Sequence, residues 1–583
     1  MKNITIGRRS FFLGAVAAAV SSALPATAAH ASGGSSGPHV SFATQGHIGE
    51  VIVNPYSIAP LTAIIRNGGY ELTEATVRIV PKPQGQEIKY KVSRSELLTH
   101  AGIPVFGLYP DYMNTVETTY TRKFHGQTEK FTDTYKIYAA PVYHEVSGSP
   151  GLHHNMFETK VTKVDAKFSD RLYLVNNLMQ QYAKATRAVW NNPMGGAMEW
   201  NFYPQNAIID TKGEVRWYMH VEPIYNVETI YHSGVMMGFQ QDEDGNITWG
   251  YGQRYVKYDL MGRETDHRRA DGKRVHTVRD VIAEIDQNGK VVDEWRLWEI
   301  LDPYRDNVMK VLDQGAVCLN IDASQAGKTM SAADLAKLET SDKFGDIVGT
   351  GEGRNWAHVN SVDYDPTDDS IIISSRHQSA IIKIGRDKKI KWIFSSPEGW
   401  RDGWKEKLLT PVKDGKPIAC HGSTCEGDFD YTWTQHTAFR IDEKSDKHVI
   451  YVTAFDNGDA RGMDQPALAE MKYSRAVVYR IDQDKKTIEQ VWEYGKERGF
   501  PWYSPVTSLT KYCADKDSIM VYSATAGMGR RPSELKPGEK AGSASPFIEE
   551  FKWGETEPAV EIQLIDSMGY QAMPVSLDKA FNQ

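Results

Sequence analysis

Short apolar runs separated by polar turns fill most of the chain, and within the runs apolar positions alternate instead of recurring every third or fourth residue. A period of two predicts strands. From His39 to about Tyr143 the strands are Val51-Ile-Val, Thr62-Ala-Ile-Ile, Ala75-Thr-Val-Arg-Ile-Val and Lys136-Ile-Tyr, with turn signals Asn67-Gly-Gly and Pro83-Gln-Gly between them. The expectation is a small all-β sandwich over 38–150 that carries no obvious chemistry. The His153-His154 pair just past it reads as a solvated loop.

Beyond residue 151 the pattern becomes a repeat. Ile208-Ile-Asp-Thr-Lys-Gly-Glu-Val-Arg-Trp217 is a strand, a turn containing Asp and Gly, and a second strand ending in Trp. Similar units run from Gln241 to Trp249, Ile285 to Trp295, Ile384 to Trp392 and Ile481 to Trp492. Hairpins repeated with one aromatic each, able to pack between neighbouring sheets, are the pattern of β-propeller blades. Unrelated hairpins in a sandwich are the competing reading. Helical inserts are expected from Trp295 to Gln314 and from Ser331 to Thr340. In a propeller the inner strand of each blade starts near the central channel, so residues distant in sequence can converge there.

Composition narrows the partners. The 583 residues include 14 Trp, 29 Tyr and 48 Gly, a mixture suited to short strands and tight turns. The net charge is -8 with no basic block, which argues against nucleic acid. Gly7-Arg-Arg-Ser-Phe-Phe-Leu followed by the apolar run Gly14 to Leu24 and Ala26-Thr-Ala28 reads as a twin-arginine export signal over 1–31. An ordinary secretory signal competes with it. The apolar run is short for a membrane span, so a periplasmic protein is expected.

The four cysteines are Cys318, Cys420, Cys425 and Cys513. Cys420-His-Gly-Ser-Thr-Cys425 closes a short loop that can form a disulfide in an oxidising compartment. A metal site using His421 is the competing reading, but no second Cys/His pair at zinc spacing accompanies it. Cys318 and Cys513 read as buried thiols.

The candidate chemistry lies between Arg354 and Gln378 and around His436. His358, Asn360, Arg376 and His377 flank the strand-like run Asp369-Ser-Ile-Ile-Ile-Ser-Ser, and His436 precedes an apolar run in the same way. Two histidines, an amide and a guanidinium at strand ends suit an anion. The structural alternative for each is a satisfied loop or surface ion pair, and His377 reads as a structural neighbour. No phosphate-cradling signature appears near these residues, so no nucleotide cofactor is expected. The cluster is short of carboxylates, which ranks a metal-dependent hydrolase low. A non-catalytic binding propeller would also explain the repeat.

Trp356-Ala-His-Val-Asn-Ser-Val-Asp-Tyr-Asp-Pro, Ile371-Ile-Ile-Ser-Ser-Arg-His-Gln, Thr434-Gln-His-Thr-Ala and Trp295-Arg-Leu-Trp-Glu-Ile-Leu-Asp-Pro-Tyr resemble the bacterial periplasmic arylsulfate sulfotransferases over nearly the whole mature chain. The resemblance implies a six-bladed propeller behind an N-terminal β-sandwich, a homodimer, and sulfuryl transfer from a phenolic sulfate to an acceptor phenol through a sulfohistidine. It makes His436 the nucleophile, with His358, Asn360 and Arg376 around the sulfate and Thr507 as a further binding residue. It also supports a Cys420–Cys425 disulfide and no cofactor. In one place the chain departs from the family. Members carry a His-His strand and an Asn-Gly hairpin after the Tyr-Asp-Leu-Met-Gly-Arg segment, whereas here Tyr258-Asp-Leu-Met-Gly-Arg-Glu-Thr265 runs directly into Asp266-His267. The expectation is one blade short of strands and weakened activity, or activity confined to donors with good leaving groups. His232, His267 and His276 are candidate substitutes for the absent histidine, and none is singled out.

Overall fold

The structure, a computed structural model, describes residues 46–142, 158–180, 205–219, 357–463, 469–528, 544–565 and 567–583, with short strands and isolated residues between 239 and 305. The export signal, His153-His154, His232, His276, Cys318, Trp356 and the insert expected from Ser331 to Thr340 lie outside the described residues. His267 falls in the two-residue strand His267–Arg268. The described chain is all-β with a few short helices, none long and apolar enough to cross a membrane. It divides into two compact units.

The first unit comprises residues 46–141 and, from the far end of the chain, 576–583. Val51–Val53, Thr62–Arg66 and Gly102–Phe106 form one antiparallel sheet. Ile88–Val92, Glu71–Ile79, Tyr112–Phe124 and Gln127–Ala139 form the other, in that order. Val77, Ile79, Tyr90, Val92, Val116 and Tyr120 turn into the core while their neighbours face out, as the period of two requires. The Tyr90 hydroxyl ties the sheets together, donating to Pro104 O at 2.9 Å and accepting from Phe106 N at 2.8 Å. His125 and Gly126, at φ 49° and 81°, make the two-residue turn between the longest strands; positive φ at both positions matches the twist of such a hairpin. The helix Leu577–Phe581 completes this unit, with Phe581 stacked on Tyr90 at 4.7 Å.

The second unit holds the repeated hairpins. Val359–Asp365, Ser370–Ser375, Ala380–Gly385 and Ile390–Phe394 make one four-stranded antiparallel sheet. His436–Arg440, Val449–Asp456, Arg475–Asp482 and Thr487–Tyr494 make the core of the next. A third contains Leu509–Cys513, Ser518–Ser523, Phe547–Lys552 and Val560–Ile565. The first strands of these sheets lie beside one another.

Three tryptophans of the repeat join consecutive sheets. Trp295 Nε1, on the strand Val291–Arg296, donates to Gly385 O at 3.0 Å in the 359–394 sheet. Trp392 Nε1 reaches Gln483 Oε1 at 3.2 Å beyond the next sheet's third strand, and Trp492 Nε1 reaches Glu555 O at 2.9 Å past the one after. All three indoles are buried, so apolar packing and a satisfied N–H coincide at each junction. Trp295, where the first helical insert is expected to begin, lies within a strand that ends at Arg296, and the helix covers only Leu297–Ile300 of the described residues.

The two ends of this unit interlock. Glu158–Val164, from its start, pairs with Val560–Ile565 as the outer edge of the 509–565 sheet. Ser567–Met568 and Gln571–Pro574, from its end, pair with Leu172–Gln180. Each exchange pairs a strand of one terminal sheet with a segment from the opposite end of this unit.

Candidate active site

Antiparallel pairing brings His358 and Arg376 together. His358 precedes Val359–Asp365 and Arg376 follows Ser370–Ser375, with Val359 opposite Ser375. Arg376 N donates to His358 O at 3.1 Å. Both residues are buried, as is His377, whose ring lies 4.6 Å from that of His358. Asn360, half-buried, donates from Nδ2 to Gln435 O at 2.8 Å, which brings the amide to the peptide preceding His436. Its Oδ1 has no hydrogen-bond partner among the described residues.

The Arg376 guanidinium links three loops. It donates to Thr434 O, to Pro505 O at 3.1 Å and to Asp459 Oδ2 at 3.4 Å. Asp459 also accepts from the Tyr503 hydroxyl at 3.3 Å. The cation is thus fixed in the interior, fully buried. Gln435 is anchored as firmly, with Nε2 on Ser374 Oγ, Ser375 O and Ala380 O.

His436 is 3 % exposed. Its Nδ1 lies 2.7 Å from Asn457 Oδ1, and the Tyr570 ring meets it edge-on at 6.2 Å. Burial, then the charge of Arg376, and also His377 push the imidazole pKa well below the ordinary 6.5, against the opposing pull of Asn457. The neutral ring is the resident form at neutral pH. Thr507 is buried at the entry to another sheet, just before Leu509–Cys513, and its carbonyl accepts from Asn457 Nδ2 at 3.0 Å.

The backbone around these groups is unusual. His358, Thr434, Thr437, Thr507 and Ser508 all have positive φ, at 49°, 50°, 61°, 58° and 87°. Each costs on the order of 1–3 kcal/mol, and such conformations persist where a surrounding network over-determines them, often at functional sites.

The sequence-predicted residues His436, His358, Asn360, Arg376 and Thr507 are thereby joined through short bonded links. Asn457, Asp459 and Tyr570 belong to the same centre but carry no pattern in the sequence. Asn457 sits in Asp456-Asn-Gly-Asp459, which reads as a turn, and Tyr570 lies far down the chain. Cys420 and Cys425 form a disulfide across a small hairpin, Cys420–His421 against Thr424–Cys425, so their sulfurs are not a metal site. Cys513 is free and partly buried as a residue, and burial pushes its thiol pKa up.

A buried imidazole, a fixed cation and amide groups are gathered here, residue types that can hold an anionic group. Comparison with known proteins agrees in kind. The profile described as Arylsulfotransferase (ASST) matches residues 158–273 and 264–571, and that described as Arylsulfotransferase Ig-like domain matches residues 50–140. The chain belongs to the arylsulfotransferase family. It is 40 % identical over 523 residues to the arylsulfate sulfotransferase AssT of Escherichia coli O6:H1 (strain CFT073), covering 81 % of this chain and 84 % of that one. It is 38 % identical over 531 residues to AssT of Lelliottia amnigena, covering 83 % and 86 %. A solved structure from Bacteroides uniformis, titled as a 6-phosphogluconolactonase, covers 70 % of this chain and 98 % of its own at 9 % identity; its TM-score of 0.20 carries no argument.

Proposed function

We propose that this protein moves a sulfuryl group from a phenolic sulfate ester to an acceptor phenol, in two steps through a sulfohistidine on His436. The observation that carries the reading is a buried His436 kept neutral next to the buried cation of Arg376. In the first step an imidazole lone pair attacks sulfur, the bond from sulfur to the aryl oxygen breaks, and its electron pair leaves on the phenolate. In the second, the acceptor oxygen attacks the same sulfur as its proton passes to a base, and the ring nitrogen regains its lone pair. Arg376 faces the charge on the sulfuryl oxygens. Asn360 and His358 add donors there, and Thr507 borders the substrate.

The scaffold in this reading is a six-bladed propeller, supported by the succession of Trp-linked sheets and by the exchanged strands at its two ends. Family membership supports a homodimer, and the 1–31 signal supports export to the periplasm. The two-piece profile match, meeting at 264–273, falls where the expected His-His segment is lacking, and supports weaker proton delivery to the phenolic oxygen. Steady-state kinetics with an activated aryl sulfate and a phenol test the scheme. Parallel double-reciprocal lines are expected, with turnover lost in His436→Gln. Intersecting lines would contradict a free sulfuryl-enzyme.

A further inference from the structure

We propose that Asn457 is a positioning residue that locks His436 in the tautomer protonated on Nδ1, so that the attacking lone pair is on Nε2. The inference rests on the sulfohistidine reading above and adds how the ring is made ready. Asn457 lies one residue past the strand Val449–Asp456 and is completely buried. Its Nδ2 donates to Ser504 O at 2.7 Å and Thr507 O at 3.0 Å. An amide nitrogen has two hydrogens, and both are committed to acceptors. Turning the amide over would set its oxygen against two carbonyl oxygens, so the orientation is fixed. Oδ1 then faces His436 Nδ1 at 2.7 Å. A carboxamide oxygen can only accept, so Nδ1 carries the hydrogen and Nε2 the lone pair.

The two carbonyls that orient the amide are themselves held. Ser504 N donates to Ser474 Oγ at 2.8 Å, and Ser474 Oγ donates to Asn457 O at 2.8 Å. Ser504 Oγ is bonded to Ser508 Oγ at 2.8 Å and Thr525 Oγ1 at 2.7 Å. Thr507, at φ 58°, presents its carbonyl from a conformation that a β-branched residue seldom adopts. All of these residues are buried. The hydroxyl network and the backbone strain therefore serve the direction of one amide. Arg376 and His377 act on the His436 ring through their charge and Tyr570 through its edge; Asn457 is the group bonded to Nδ1.

The test uses the full chain labelled with 15N-histidine, with His436→Gln to assign the signal, and single-turnover transfer from an activated aryl sulfate. Wild type is expected to show a protonated Nδ1 and an unprotonated Nε2 at neutral pH. Asn457→Leu is expected to slow sulfuryl transfer roughly 10- to 100-fold, as loss of an orienting partner does, with donor affinity unchanged. Asn457→Asp keeps an acceptor on Nδ1 and is expected to recover much of the rate while moving the acid limb of the pH profile upward, because a carboxylate favours the imidazolium. A wild-type spectrum with the hydrogen on Nε2 would overturn the proposal, as would a folded Asn457→Leu with wild-type rate. If Asn457→Leu does not fold, the wild-type spectrum decides alone. A protonated Nδ1 in a protein that never takes up a sulfuryl group would instead overturn the sulfohistidine reading and leave the tautomer assignment standing.

Discussion

At the scale of single residues, the site depends on which protonation states burial allows. His436 loses its proton at lower pH in the folded protein than the ordinary 6.5 of the unfolded chain. Sulfuryl uptake should therefore hold its rate as pH drops through 6.5 and fall only well below it, which a pH profile of single-turnover rates would show. The same shift bears on stability. Below about 6.5 the unfolded state binds a proton that the folded state refuses, so this group's contribution is complete above that pH and is lost as pH falls toward the folded value. Arg376→Lys keeps the charge but cannot reach Thr434, Pro505 and Asp459 together. Loss of turnover by about 10²- to 10³-fold is expected, the range for removing a fixed donor at a reacting oxyanion. Thermal melts would separate that from simple unfolding. As candidates, His436, His358, Asn360 and Arg376 were legible because they flank apolar strand-forming runs and because the motifs around them resemble those of the family. Asn457 was not, because an Asn-Gly pair after a strand is also an ordinary turn, and only the fold reveals the two carbonyls that orient it.

At the scale of elements, strand ends and the turns between them do the positioning. The repeat read from sequence located the hairpins and their tryptophans well, since strand, turn and Trp recur within a short window. The 13-residue strands Tyr112–Phe124 and Gln127–Ala139 were largely missed. Their inward positions include Thr118 and Asp133, which weaken the apolar alternation, and Asp133 is satisfied by Tyr120, Tyr135 and His47. Two predictions belong here. Replacing Cys420 and Cys425 together with Ser reopens a short loop and should cost about 2 kcal/mol in urea unfolding by the loop-entropy relation. Glu549, fully buried on Phe547–Lys552, accepts from Trp502 Nε1 at 2.8 Å and from the Tyr494 hydroxyl at 2.9 Å, and burial raises its pKa to about 8. Here the folded state holds a proton that the unfolded state releases above 4.5. Its contribution is complete below 4.5 and is lost as pH rises through about 8. Glu549→Gln should flatten that decline in urea titrations at pH 6 and above.

At the scale of the whole molecule, the exchanged strands couple the chain's end to its reactive centre. The segment that pairs with Leu172–Gln180 also carries Tyr570 to the edge of the His436 ring. Gly569, next to it, admits the buried Tyr522: a Cβ there would lie 2.3 Å from the Tyr522 hydroxyl. Gly569→Ala should cost about 1–3 kcal/mol, the usual penalty for overpacking, and lower the melting temperature. No local pattern in the sequence could announce this pairing, because its partners are separated by most of the chain.

The most direct measurement is intact-protein and peptide mass spectrometry after brief mixing with an activated aryl sulfate and no acceptor, worked up under alkaline conditions. The account predicts one added sulfuryl group on the peptide carrying His436, lost when a phenol is supplied and absent in His436→Gln. A folded, disulfide-bonded protein that gains no sulfuryl group, or gains it on another peptide, would contradict it.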